Sequence, residues 1–346
     1  MHAAVRSGLQ IRLILDEDQR AADFNVDADR VIRVNKSDQE ELDSAIASET
    51  EKYEIDYALS ADGTPLEGKI SAGGGRTGDT RNPVHLLNDA RAMRSILIQS
   101  GLWYGGLRPA DWASRAAVVP ESLGSPTAVR PARDVPANGP RADEQPAGLR
   151  LAVTTLTVAG MHSVLGIAAW QPPPLGPGYI YPAALSEADQ KSVRAAARSV
   201  LDLAGYQFGP AQTNMVLTSS GPQIVRTYAR FGVDQIPRLI ELATGLDLRT
   251  ELFRALAGAP FRTLDPHWFA AVGFLPELVS VSGAAAFPSR ARVLALPGVS
   301  ELHVPTATGS LTALGSANIE HAYVITEGVT REAVTERMAR ARQLLS

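Results

Sequence analysis

Arg226, Tyr228 and Arg230 are the residues of this sequence whose types and spacing point most directly to chemistry. They lie in the run QIVRTYA, rich in β-formers, and strand alternation places all three on one face. Two guanidiniums on one face suit an oxyanion, since each forms bidentate charge-assisted hydrogen bonds to a carboxylate or phosphate. Neither can ligate a cation. Asp234 follows shortly after, and Arg230 with Asp234 reads either as part of a pocket or as a buried pair that stabilises the turn.

Other candidate residues are weaker. Gly73-Gly74-Gly75-Arg76-Thr77-Gly78 invites a phosphate-loop reading, but it lacks the Gly-Lys-Ser/Thr ending and a strand–loop–helix frame, so it reads as an ordinary loop. His85 and His162 stand apart from other metal-ligating residues and read as capped or turn-flanking polar residues. The absence of cysteine excludes disulfides, thiolate catalysis and Cys-ligated metals. A net charge of −4 offers no basic field for nucleic acid and no polybasic membrane patch. No apolar run approaches the ~18 residues of a membrane span, and no secretory leader pattern opens the chain. These features give a cytoplasmic protein without nucleic-acid or membrane partners as the expectation.

The elements that must position these groups can be taken in order. IRLILDE and RVIRV are short strands. SDQEELDSAIASE is a helix capped by Ser37 or Asp38, and Tyr57-Ala58-Leu59 is a further strand. Residues 83–102 form one helix with an apolar face of Leu86, Ala90, Met93 and Leu97. Residues 151–170 are a hairpin around Ala159-Gly160, with Thr154 and Thr155 as solvent-facing β-formers. Gln171 to Tyr181 reads as a Pro/Gly loop, and Ser186 caps a helix that stops at Gly205. MVLT and QIVRTYA form a hairpin through Ser219-Ser220-Gly221-Pro222. Ile236, Leu239, Ile240, Leu242 and Ala243 recur at helical spacing up to Gly245, and ELFRALAG is a helix. WFAAVGFLP and HAYVITEG are strands, with a helix and strand in RVLALPGVSELHV. The C-terminal helix buries Val334, Met338, Ala341 and Leu345.

The block from Phe208 to Leu248 resembles the C-terminal half of an ATP-grasp domain, whose pattern is roughly F-G-x-x-H-x-E, a Gly-Pro turn, then V-E-x-N-x-R-x-G-G-D. The residues carrying it are Phe208-Gly209-Pro210, Gly221-Pro222, Ile224-Val225, Arg230, Gly232, Asp234 and Ala243-Thr244-Gly245. The resemblance implies a mixed α/β (α+β) fold. Residues 1–82 would form an N-terminal α/β domain whose first strand has no counterpart before HAAVRSGL. Residues 83–150 would form a linker helix and a shortened lid. Residues 151–346 would be the C-terminal ATP-grasp domain with a carboxylase-like end.

The same resemblance implies a damaged nucleotide and metal site. The family's metal carboxylates fall on Asn214 and Arg226, and its motif Asn falls on Tyr228. Asn214 could still give one neutral oxygen. The chain's four lysines are Lys36, Lys52, Lys69 and Lys191, so none lies where relatives carry phosphate-binding lysines. The lid lysine is replaced by Arg130, whose planar fork differs from an ammonium. A glutamate that binds nucleotide in relatives becomes Thr154. The expectation is a pseudo-ligase without ATP or Mg²⁺ that keeps a pocket for a small carboxylate or phosphate, with Arg130, Asn214, Arg226, Tyr228 and Arg230 binding it and Arg230 and Asp234 as the catalytic candidates. It would act as a homodimer or beside a hetero-partner. The alternative is an active carboxylate–amine ligase with relocated metal ligands, drawn from Glu241, Asp247 or Glu251.

Overall fold

Seven of the ten residues in the strand LRLAVTTLTV are buried, which happens only when a sheet is covered on both faces. That strand is part of an antiparallel sheet that organises the protein. The computed structural model describes residues 2–16, 28–35, 38–53, 55–59, 83–99, 148–171, 177–232, 234–262, 265–275, 290–304 and 322–345. Arg130, the reduced lid and the Gly73–Gly78 loop lie outside the described residues.

Among the described residues the N-terminal part contains a parallel pair, β1 (Leu13–Asp16) and β2 (Val31–Val34). The helix α1 (His2–Arg6) precedes it and α2 (Gln39–Lys52) follows. Asp38 caps α2 by accepting from the Glu40 and Glu41 N–H groups. Tyr57-Ala58-Leu59 is not a strand: Leu59 alone makes a bridge, and Tyr57 packs edge-on to Phe208 at 5.1 Å.

The helix expected over 83–102 is broken. Helix α3 (Pro83–Asn88) stops at Asp89, whose carboxylate accepts from the Ala92 N–H and starts α4 (Ala90–Gln99). An N-cap carboxylate here competes with continuing the helix. Leu86, Met93 and Leu97 are buried as expected.

The large sheet contains eight strands among the described residues: β3 (Leu149–Val158), β4 (Met161–Gln171), β5 (Gly178–Tyr181), β6 (Gly209–Thr218), β7 (Gly221–Tyr228), β8 (Phe269–Leu275), β9 (Val299–His303) and β10 (Ala322–Gly328). Their order is β7-β6-β3-β4-β5-β8-β10-β9, and every neighbouring pair is antiparallel. Strand β5 lies inside the stretch expected to be a loop. Its four residues carry too little pattern to announce themselves, yet they bridge β4 and β8.

Two hairpins lead to the site. β3 and β4 join through Ala159 and Gly160, both with positive φ (50° and 71°), the geometry that matches strand twist in a two-residue turn. β6 and β7 join through Ser219 and Ser220 alone, so Gly221 and Pro222 belong to β7. Proline is tolerated there because β7 is the edge strand of the described sheet and Pro222 lies at its start.

One face is covered by α5 (Glu187–Ala204) and α9 (Arg331–Leu345), which bury Val193, Ala197, Val334, Met338 and Ala341 on Leu151, Val153, Met215 and Val324. Ser186 caps α5 in the expected capping box with Asp189, and Gly205 ends it at φ 68°. The other face carries α6 (Ile236–Thr244) and α7 (Leu248–Leu256), with Leu239, Ile240 and Leu252 on Ala152, Leu156, Val272 and Ile325. A short helix α8 (Arg290–Leu294) precedes β9. No helix among the described residues is long and apolar enough to cross a membrane.

Candidate functional site

Register fixes which side chains meet on the α6/α7 face. Asn214 of β6 lies opposite Arg226 of β7 and Ala152 of β3, while Gln212 lies opposite Tyr228 and Thr154. Directly paired residues share a face, so Gln212, Asn214, Arg226 and Tyr228 form one patch. A register shift after Asn214, where Met215 pairs with Ile224, lets Ile224 turn to the opposite core.

The expected alignment of Arg226, Tyr228 and Arg230 is present. The Arg226 guanidinium lies 4.6 Å from the Tyr228 ring centre and that of Arg230 lies 4.9 Å from it. Each is within cation–π range, so the phenol is held between two cations. Arg226 is half-buried, and its Nε is fully buried with no hydrogen-bond partner among the described residues. Arg230 follows the end of β7 and donates to the Phe231 carbonyl at 3.2 Å.

Asp234 is buried, and its two oxygens face different donors. Oδ2 accepts from Gln212 Nε2 at 2.8 Å and Oδ1 from the Ile236 N–H, the first of α6, at 3.5 Å. Burial raises its pKa above the usual carboxylate range, while the Gln212 and Ile236 hydrogen bonds and the nearby Arg230 charge act against that. Of the two readings open for Arg230 and Asp234, the hydrogen-bonded partner of Asp234 is Gln212, while Arg230 acts on it through its charge. Gln212 Nε2 also donates to Asn214 Oδ1 at 3.2 Å, so Asp234, Gln212 and Asn214 form a chain.

Gln212 was not legible as a site residue, though alternation two residues before Asn214 points to it. Further along the same face Trp170 and Tyr179 pair edge to face at 5.1 Å. Burial pushes the Tyr179 phenol far above its ordinary pKa, with the Asp234 charge adding to that and Arg150 opposing it. Arg150, at the exposed start of β3, is on this face as well.

Thr154 and Thr155 correct the expectation of solvent-facing residues. Both are fully buried, and both hydroxyls lack a partner among the described residues. The reason is the double cover of the sheet, which puts Thr154 beside Gln212 on the α6/α7 face. His162 flanks the β3–β4 turn, where its ring bonds the buried Thr157 hydroxyl at 2.8 Å and Asp202 at 3.2 Å.

The three carboxylates weighed as relocated metal ligands have other partners. Glu241 accepts from the Leu248 N–H at 3.2 Å, and burial raises its pKa against that bond. Asp247 caps α7 through the Thr250 N–H at 2.5 Å. Glu251 is buried and bonded to Arg254 and Arg262, which outweigh burial and hold its pKa below the usual range. Among the described residues no three His, Asp or Glu side chains gather in one place.

No protein-family model matches the chain, and no curated protein does. Solved structures do. An L-amino acid ligase from Bacillus licheniformis is similar over 99% of this chain and 92% of its own, at 17% identity and a TM-score of 0.61. An N5-carboxyaminoimidazole synthase from Aspergillus clavatus, solved with ADP and 5-aminoimidazole ribonucleotide, is similar over 99% of this chain and 94% of its own, at 12% identity and a TM-score of 0.62. A phosphoribosylglycinamide synthetase from Anaerococcus prevotii is similar over the same shares, at 12% identity and a TM-score of 0.58. Together with the antiparallel sheet and its site-bearing hairpin, these likenesses identify the chain as a protein of the ATP-grasp fold.

Proposed function

We propose that this chain is a pseudo-ligase: an ATP-grasp fold that has given up Mg²⁺·ATP-dependent ligation and keeps a pocket for a small carboxylate or phosphate. One observation carries the reading. The cross-strand pair that the resemblance assigns to the two metal carboxylates is Asn214 and Arg226, and Arg226 lies against Tyr228 with its Nε unpartnered among the described residues. A divalent cation does not fit these residues. Mg²⁺ takes near-octahedral oxygen ligands, and here it would meet one neutral carboxamide and the charge of two guanidiniums. An oxyanion meets donors instead.

The carboxylates near in sequence support the same reading, since Glu241, Asp247 and Glu251 are engaged with a backbone N–H, a helix cap and two arginines. In this proposal Arg226, Arg230, Asn214 and Tyr228 hold the anion; Arg130, the remaining anion-binding candidate of the sequence, lies outside the described residues. Asp234 and Arg230 are the groups for any remaining ATP-independent step. Phosphate release from Mg²⁺·ATP is expected at background. Robust Mg²⁺-dependent release would overturn the reading in favour of a working carboxylate–amine ligase.

We further propose that the chain works as a homodimer or with a hetero-partner. Among the described residues β1–β2 is a two-stranded pair and β7 is the edge of the large sheet, and sheet edges invite strand pairing. Light scattering across micromolar concentrations should give a dimer mass; a monomer throughout, with no stable partner recovered, contradicts it.

A further inference from the structure

A carboxamide can turn either its carbonyl or its N–H₂ toward a ligand, and the two choices make opposite sites. We propose that Asp234, acting through Gln212, holds Asn214 with its N–H₂ toward the ligand, so that the face around Arg226 and Arg230 consists of donors and selects an oxyanion. This rests on the anion-pocket reading above and gives Asp234 a positioning role toward Asn214.

The direction of the chain is set at its buried end. Both Asp234 oxygens accept from N–H groups, Oδ1 from Ile236 and Oδ2 from Gln212. An ionised carboxylate can only accept, so Gln212 must present Nε2 to it. Nε2 carries a second hydrogen, which reaches Asn214 Oδ1 at 3.2 Å. Turning Gln212 over would set its carbonyl against the carboxylate, two acceptors face to face.

Space enforces the same orientation. Gln212 is only 3% exposed, and its Oε1 is buried without a hydrogen-bond partner among the described residues. A Cβ at Gly232 would collide with that Oε1 and lie 2.6 Å from Asp234 Oδ1. The bare glycine therefore makes the room in which the Gln212 carbonyl sits, and any side chain there would push the carboxamide off Asp234.

With Oδ1 engaged, Asn214 is left with Nδ2, which has no hydrogen-bond partner among the described residues. Directly across the strands is the buried, unpartnered Nε of Arg226. The Asn214 N–H₂ and the buried Arg226 Nε on paired positions, with a second guanidinium across the Tyr228 ring, match a ligand that only accepts. An ionised carboxylate or a phosphate does so; an amine or a metal ion does not.

The test uses the full chain, with inorganic phosphate and acetate as separate probes. Calorimetry on the wild type, Asp234→Asn, Asn214→Ala and the double variant gives a double-mutant cycle, and ¹⁵N NMR follows the Asn214 side-chain amide. We expect each single variant to weaken the better probe about tenfold, in the range of one hydrogen bond to a charged group. The double variant should be no weaker than either single one, because both remove the same donor. Saturating probe should shift the Asn214 amide signals in the wild type. Additive losses in the cycle, or Asn214 signals unmoved while the wild type binds, overturn the inference. The NMR arm decides it on unaltered protein even if Asp234→Asn does not fold. If the wild type binds neither probe, the anion-pocket reading itself fails, an outcome distinct from the others. The tighter of the two probes names the group the site takes.

Discussion

Tyr228 between Arg226 and Arg230 is the smallest unit from which the site can be understood. The phenol face lowers the cost of keeping two cations close, and in the proposed reading both attract an anion. Arg230→Ala removes one of them. It should weaken phosphate binding about tenfold or more, since a hydrogen bond to a charged group is worth about 1.5–3 kcal/mol; titration calorimetry measures it, and unchanged affinity would place Arg230 outside the site. His162 allows a separate check on the strand that leads there. Burial lowers its pKa below the ordinary 6.5, with Asp202 pulling the other way and Arg198 adding to the drop. The native state then takes up this proton at lower pH than the unfolded chain. Its contribution is complete above the ordinary value and is lost as pH falls through the folded one. Urea midpoints should fall between about pH 7.5 and about pH 5.5, the range where histidine titrates, and fall less in His162→Gln.

At the scale of elements, sequence pattern did well where period and cap agreed. Alternation located both hairpins, and the Ser186–Asp189 capping box located α5 to its first residue. It failed where the signal was short or local chemistry competed. β5 has four residues and is specified by its neighbours β4 and β8, not by its own pattern. The break at Asp89 came from a cap inside an otherwise helical period. Thr154 and Thr155 misled because β propensity is the same on a wet face and a buried one. The shared face of Arg226, Tyr228 and Arg230 was legible because alternation holds from Arg226 onward; the place of Gln212 was not, because it depends on Asp234 arriving from beyond β7. The element that positions Asp234 is α6, whose Ile240 is fully buried against the sheet beside Gly166. Gly166 is what lets it approach: a Cβ there would lie 2.8 Å from the Ile240 Cδ1. Ile240→Ala should therefore cost about 2–5 kcal/mol, the range for emptying a packed core position. Thermal or urea unfolding checks it, and a loss below ~1 kcal/mol would mean that α6 rests only loosely on the sheet.

At the scale of the molecule, one sheet separates two jobs. The α5/α9 face is sealed by an apolar core, whereas the α6/α7 face turns from core to polar patch where β6 and β7 reach the edge. The likeness to solved structures extends over 99% of the chain, so the architecture is kept; in the proposed reading the cross-strand pair Asn214 and Arg226 stands where the resemblance puts the metal carboxylates and differs from them in charge. That contrast is decided most directly by calorimetry of inorganic phosphate binding to the unaltered protein, with and without Mg²⁺. Saturable binding that Mg²⁺ leaves unchanged or weakens is the predicted result; binding that requires Mg²⁺ would contradict it.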